Sequence, residues 1–133
     1  MATGINIAGK PTDVVYVGTE HGVFFAVSAA GQILWYRPMG TIQTDCPDTP
    51  DKKFGVSASA VFDRQGNRVL VAGGDGFVYA LDPATGANLA GWPVKITADP
   101  LHEVVFSAPT LFGNHLYVEL ASHCDVGPYH GAS

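Results

Sequence analysis

Apolar positions along the chain fall in short runs broken by glycine and turn residues, and the same pattern returns three times. The first window is Val15-Tyr-Val-Gly-Thr-Glu-His-Gly-Val-Phe-Phe-Ala-Val27 and the second is Val69-Leu-Val-Ala-Gly-Gly-Asp-Gly-Phe-Val-Tyr-Ala-Leu81. Gly22 matches Gly76 and Ala26 matches Ala80 at a constant offset of 54. A third copy enters earlier in the repeat. Phe106-Ser-Ala-Pro-Thr-Leu-Phe112 matches Val56-Ser-Ala-Ser-Ala-Val-Phe62 at an offset of 50, and Leu116-Tyr-Val118 matches Val69-Leu-Val71 at 47. The runs are rich in β-branched and aromatic residues, and no sustained helical period interrupts them. Each window therefore predicts strand, tight turn, strand, with His21-Gly22 and Asp75-Gly76 as the turns, because a primed turn needs positive φ.

The middle copy predicts four strands, A over about 56–62, B over 68–72, C over 77–81 and D over 88–94. Asp63-Arg-Gln-Gly-Asn67 turns A into B, and Asp82-Pro-Ala-Thr-Gly86 turns C into D. The first copy shows B, C and D over 14–17, 23–27 and 32–37; its strand A would be a short piece near 5–8. The third copy shows A and B before the chain ends. A four-stranded antiparallel meander repeated at about 45–55 residues is the sequence form of a propeller blade. The expected fold class is all-β, an incomplete ring of about two and a half blades, with blade 1 near 5–37, blade 2 near 56–95 and blade 3 near 105–133 of one domain spanning 1–133.

The segment Gly73-Gly-Asp-Gly-Phe-Val-Tyr-Ala-Leu-Asp-Pro-Ala-Thr-Gly86, followed by Trp92, resembles the repeat of the pyrroloquinoline-quinone (PQQ) enzymes, also found in BamB-like outer-membrane assembly propellers. The first copy carries it as Gly22-Val-Phe-Phe-Ala-Val27, Gly31 and Trp35. The resemblance implies that Trp35 and Trp92 pack between blades. It implies a periplasmic or extracellular location, and it brings in PQQ and calcium as cofactors of the family's dehydrogenases. Those enzymes often set a disulfide of neighbouring cysteines beside the quinone; no adjacent pair occurs here, which counts against cofactor binding.

About four to eight blades close a propeller, so this chain cannot close one alone. It is expected to be a fragment of a longer protein, to complete a ring by self-association, or to form a small open assembly. Open edges and faces invite a protein partner or a second copy.

Composition narrows the function. Hydrophobic residues make up 47% and charged residues 14%, which rules out a disordered tail. Seven basic and twelve acidic residues give a net charge of −5, so the chain has no electrostatic footprint for nucleic acid. No apolar run approaches a membrane span. The first nine residues lack the basic and long apolar regions of a secretory signal, so the expectation is a protein that stays inside, or a mature or truncated piece of an exported one.

Meander order sorts the loops onto two faces, and polar chemistry gathers on one. That face receives Glu20-His21, the loop 38–54 with Asp45, Cys46, Asp48 and Asp51, the turn at Asp75, the loop 97–103 with Asp99 and His102, and His123-Cys-Asp125. Cys46 and Cys124 read as a disulfide between loop and tail, as two unrelated thiols, or as part of a shared metal site. His123, Cys124, Asp125 and His130 offer imidazole, thiolate and carboxylate suited to zinc or copper, although their spacing matches no standard zinc motif. The acids of 45–51 suit calcium by type, but Lys52, Lys53 and two prolines favour a solvated loop. His21, His102 and His115 read as surface or hydrogen-bonded residues. No nucleophile elbow, P-loop or dinucleotide fingerprint appears. The expected function is a non-catalytic propeller module presenting a loop face for protein or ligand binding, with a piece of a PQQ- and calcium-dependent alcohol or sugar dehydrogenase as the alternative.

Overall fold

The structure, a computed structural model, describes residues 1–125 and Gly127. Strands β1 (Ala2–Ile7), β2 (Lys10–Gly18), β3 (Val23–Ser28) and β4 (Ile33–Pro38) form one antiparallel meander in the order β1-β2-β3-β4. A small hairpin follows, β5 (Ile42–Gln43) with β6 (Lys53–Phe54). The second meander joins β7 (Val61–Asp63), β8 (Arg68–Ala72), β9 (Phe77–Leu81) and β10 (Val94–Lys95). A last hairpin pairs β11 (Thr110–Phe112) with β12 (His115–Tyr117). At His21-Gly22 and Asp75-Gly76 the chain reverses through glycines at φ of 72° and 81°, a conformation open to glycine at no steric cost.

Two expectations about strands need correction. The first blade has a full fourth strand, β1, longer than the piece expected near 5–8. A register shift between Ala2 and Ile5 puts both on the buried side, so simple alternation hides the strand. In the second blade the outer elements are shorter than expected. The stretch 56–60 alternates like a strand, with Val56 and Ala58 buried, but the Val56 N–H donates to Thr19 O of the first blade (2.9 Å). Fourth-strand pairing reduces to β10 and a bridge between Leu81 and Asn88, because a turn closed by Trp92 N–H to Leu89 O (3.1 Å) interrupts it and Pro93 has no N–H to give.

The blades stack face to face. Tyr16, Phe24 and Trp35 from blade 1 lie over Val56, Val69, Val71, Tyr79 and Leu81 of blade 2. Leu70 and Ala80 are buried as well, so β8 and β9 are covered on both faces and read as continuous apolar runs. In β3, Phe24, Ala26 and Ser28 are buried, while Val23, Phe25 and Val27 are only half-buried. A third cluster, Ala58, Ala72, Val78 and Val105 with Trp92, Leu116 and Val118, joins blade 2 to the β11–β12 hairpin.

Polar contacts lock the first interface. The Tyr16 hydroxyl and the Trp35 Nε1–H both donate to the Pro83 carbonyl, at 2.8 and 3.1 Å, and Arg37 Nη1 donates to Gly86 O at 2.7 Å. The turn they grip is pre-formed, since Asp82 Oδ1 accepts from the N–H groups of Ala84 (2.9 Å) and Thr85 (2.8 Å). Gly86 sits at φ 72°, and a Cβ there would come within 2.7 Å of the Trp35 ring. Burial, reinforced by the Asp82 charge, pushes the Tyr16 phenol up to about 12, so it stays a donor at ordinary pH.

Two predictions follow from this packing. Trp35→Ala should destabilise the chain by about 3 kcal/mol, through lost packing of a large aromatic. Trp35→Phe should cost about 1 kcal/mol, mostly the missing N–H bond; urea unfolding distinguishes the two. In the turn before β8, the buried Asp63 carboxylate accepts from Gly66 N–H (3.0 Å) and Arg68 Nε (2.8 Å), and these bonds hold its pKa below the usual carboxylate value. A depressed folded-state pKa supplies stability above the unfolded value, lost as pH falls through the folded one. Asp63→Asn should therefore lower the melting temperature at pH 7, and the gap from wild type should narrow as pH falls below 4.

Candidate functional site

The loop face is built by turns whose acids bond to backbone and side-chain groups of the same and neighbouring turns. Glu20 accepts from Gly55 N–H (3.1 Å) and from the Ser57 hydroxyl, tying the first blade's turn to the start of the second blade. Asp75 accepts from Phe77 N–H (3.3 Å) and from the Tyr79 hydroxyl; burial first, then this bond, pushes the Tyr79 phenol well above its ordinary value. In the loop 97–103, the Thr97 hydroxyl meets the Glu103 carboxylate and accepts from Asp99 N–H (2.9 Å), while His102 Nδ1 lies 2.7 Å from Asp99 Oδ2. Two of these, at Phe77 N–H and Asp99 N–H, are local side-chain to backbone bonds of the kind that shape turns; the others join side chains or link the two blades.

Among the described residues, Asp45, Asp48 and Asp51 do not come together as a group of ligands. Asp45 faces Lys52 at 3.7 Å, and Asp51 faces His21 at 3.2 Å. His115 stands on β12, its ring 6.4 Å from that of Tyr117. Trp35 and Trp92 lie in the interblade clusters described above.

Cys46 and Cys124 meet as a disulfide, Cα atoms 5.8 Å apart across 78 residues. Cys46 is buried in the β5–β6 hairpin loop, whose neck is closed by Thr44 N–H to Lys52 O (2.9 Å). Cys124 is exposed and follows the two-way bridge between Val104 and Ala121 (2.8 and 2.9 Å). Beside the pair lies His123. Its ring stacks on Phe106 (5.2 Å, 25°) and tilts against Phe54 (5.5 Å), with the Thr49 hydroxyl 3.4 Å from ring nitrogen.

Among the described residues, one group of three metal-ligating side chains comes together, Cys46, His123 and Cys124, with ligand atoms all within 4.8 Å of one another. Of the four ligands expected from sequence, His123 and Cys124 belong to it and Asp125 does not; His130 lies outside the described residues. Sequence reasoning put Cys46 on this face but did not join it to His123, and it missed the aromatic clamp of Phe54 and Phe106. These residues come from three separate stretches of the chain, and no spacing connects them; the adjacent His123-Cys124, and the reading of Cys46 with Cys124 as a disulfide or shared metal site, were the usable signals.

No family model matches the chain, and no curated protein does. Among solved structures, BamB from Moraxella catarrhalis is similar, at 23% identity and a TM-score of 0.58, with the match covering 83% of this chain and 31% of that one. The chain thus spans about a third of that structure's length. Together with the two meanders, this likeness shows an all-β, BamB-like propeller fold made of open antiparallel sheets.

A cross-link closing a loop of 78 residues restricts the unfolded chain strongly. Cys46→Ser, or thiol reduction of wild type, should each lower unfolding stability by about 2–4 kcal/mol. Reductant should change the Cys46→Ser variant little, which denaturant titration with and without reductant measures.

Proposed function

We propose that this chain is a segment of a BamB-like propeller that catalyses no reaction and works by binding protein, through the open face of its first blade and the loops beside it. The observation that carries this reading is the repeat itself. Val69, Val71, Tyr79 and Leu81 form the face that blade 2 buries against blade 1, with exposures of 0%, 0%, 7% and 0%. Subtracting the repeat offset of 54 gives Val15, Val17, Phe25 and Val27. Those residues form the outward face of blade 1, where Val15 and Val17 are 41% and 44% exposed and Phe25 and Val27 half-buried. Exposed Tyr36 extends the patch, its ring 6.1 Å from that of Phe25.

A surface that repeats, residue for residue, one already buried by a blade is shaped for another blade. Its complement is a sheet face carrying aromatics as Tyr16, Phe24 and Trp35 do. The engagement of Glu20, Asp75, Glu103 and Asp99 in turn-holding bonds supports a binding role over a catalytic one, since these carboxylates already serve the scaffold.

Such an interface joins two different faces and so leads to head-to-tail association. Sedimentation over a range of concentrations should show the chain self-associating. Val17→Asp with Phe25→Asp should weaken that association at least tenfold, about 1.4 kcal/mol or more, with the far-ultraviolet circular dichroism unchanged. A wild-type chain that stays monomeric at every concentration, or an association indifferent to the two substitutions, would count against the reading.

A further inference from the structure

We propose that Cys46, His123 and Cys124 form a metal site for a thiophilic d10 cation, zinc being the probe of choice, that opens when the disulfide is reduced. The donor set is two sulfurs and an imidazole nitrogen, the ligands such ions take by preference. Zinc–sulfur bonds of about 2.3 Å and zinc–nitrogen bonds of about 2.0–2.1 Å in a tetrahedron place ligand atoms roughly 3.5–3.8 Å apart. The three donors here already lie within 4.8 Å of one another. The two sulfurs are bonded in the disulfide, so reduction must first let them part to that spacing.

The site does not depend on the sulfur–sulfur bond for its assembly. One arm is fixed by the Thr44–Lys52 bond at the neck of the hairpin, and the other by the paired bonds of Val104 and Ala121, two residues before His123. Phe54, Phe106 and the His123 imidazole pack as a trio of rings, centroids 5.2–5.5 Å apart, which holds the imidazole beside the two arms. Thr49 is buried, and its hydroxyl lies 3.4 Å from both ring nitrogens of His123. Burial grades from Cys46 inside, through His123, to Cys124 outside, which leaves the fourth coordination position toward solvent.

The chemistry balances as follows. A dithiol reductant gives two electrons and two protons to the Cys46–Cys124 bond and is itself oxidised to a disulfide. Zinc then displaces the two thiol protons and takes neutral His123 as its third ligand. Oxidation by any disulfide-forming agent expels the ion. The face thus exchanges a covalent tie for a metal tie between the same two loops.

The test uses the full chain, reduced with a water-soluble phosphine and then freed of it. Zinc bound per chain is read by competition with a chromophoric chelator, and cobalt is used in parallel for its thiolate charge-transfer band. The reduced chain should bind one zinc and show the cobalt band; the oxidised chain should bind none. Cys46→Ser should abolish binding. His123→Ala, which leaves the disulfide of the oxidised form intact, should weaken binding of the reduced form at least tenfold. Absence of zinc from the reduced wild type would overturn the proposal, whether or not its circular dichroism stays native, because the arms must hold the site without the disulfide. Full zinc binding that survives Cys46→Ser or His123→Ala would overturn it as well.

Discussion

One carbonyl organises the contact on which the rest of the structure depends. Pro83 O accepts from both the Tyr16 hydroxyl and the Trp35 indole, and three residues on Gly86 O takes the Arg37 guanidinium. An isolated four-stranded meander has two faces to cover and no second layer. Blade 1 covers one of its faces by gripping the turn between β9 and β10, so sheet stability becomes a matter of stacking. Hydrogen bonds give this stack its register and apolar area gives it its strength. Because a carbonyl has two lone pairs, one residue can receive both aromatic donors without leaving a buried polar atom unpaired.

Stacking also explains which parts of the chain are readable from sequence. The central strands of blade 2 were expected at 68–72 and 77–81 and occur there, since they are buried on both faces and appear as unbroken apolar runs. Trp35 packs against the cluster between blades 1 and 2, and Trp92 against the one that joins blade 2 to the β11–β12 hairpin. Reading fails at the blade margins. The run from Val56 to Ala60 has the alternation of a strand, but alternation reports which side is buried and not which backbone is the partner. There the partner is Thr19 of another blade. The first strand was underestimated for the opposite reason, as its irregular register breaks alternation while pairing continues.

The loop face was legible only as a location. Meander order alone put Cys46 and the His123–Cys124 segment on one side, because it fixes which ends of the strands each loop joins. It could not bring them together within a few ångströms. That step depends on the lengths of two loops and on the clamp of Phe54 and Phe106 around His123, features with no periodic trace. Likewise, two acids that look like candidate ligands when read by type, Asp45 and Asp51, lie at the exposed surface beside Lys52 and His21. Residue type proposes a chemistry; only the neighbouring charges decide whether the groups are available for it.

The two ends of the stack are unequal, and the inequality follows from the repeat. Blade 1 is complete and turns outward a face whose in-register copy is buried one blade later. Beyond blade 2 the described chain supplies Leu116 and Val118 against Trp92, the counterparts of Val69 and Val71, in a hairpin of two strands. Trp35 finds a turn carbonyl to receive its N–H, whereas among the described residues Trp92 has no such acceptor. The two indoles therefore sit in different surroundings, Trp35 in a hydrogen-bonded socket between blades 1 and 2 and Trp92 in an apolar one between blade 2 and the β11–β12 hairpin. The disulfide and the ring trio of Phe54, Phe106 and His123 tie the tail after β12 back to the hairpin between blades 1 and 2. Covalent closure thus joins the tail after β12 to a loop between the first two blades, 78 residues earlier, a tie that the stacking of successive sheets does not itself make.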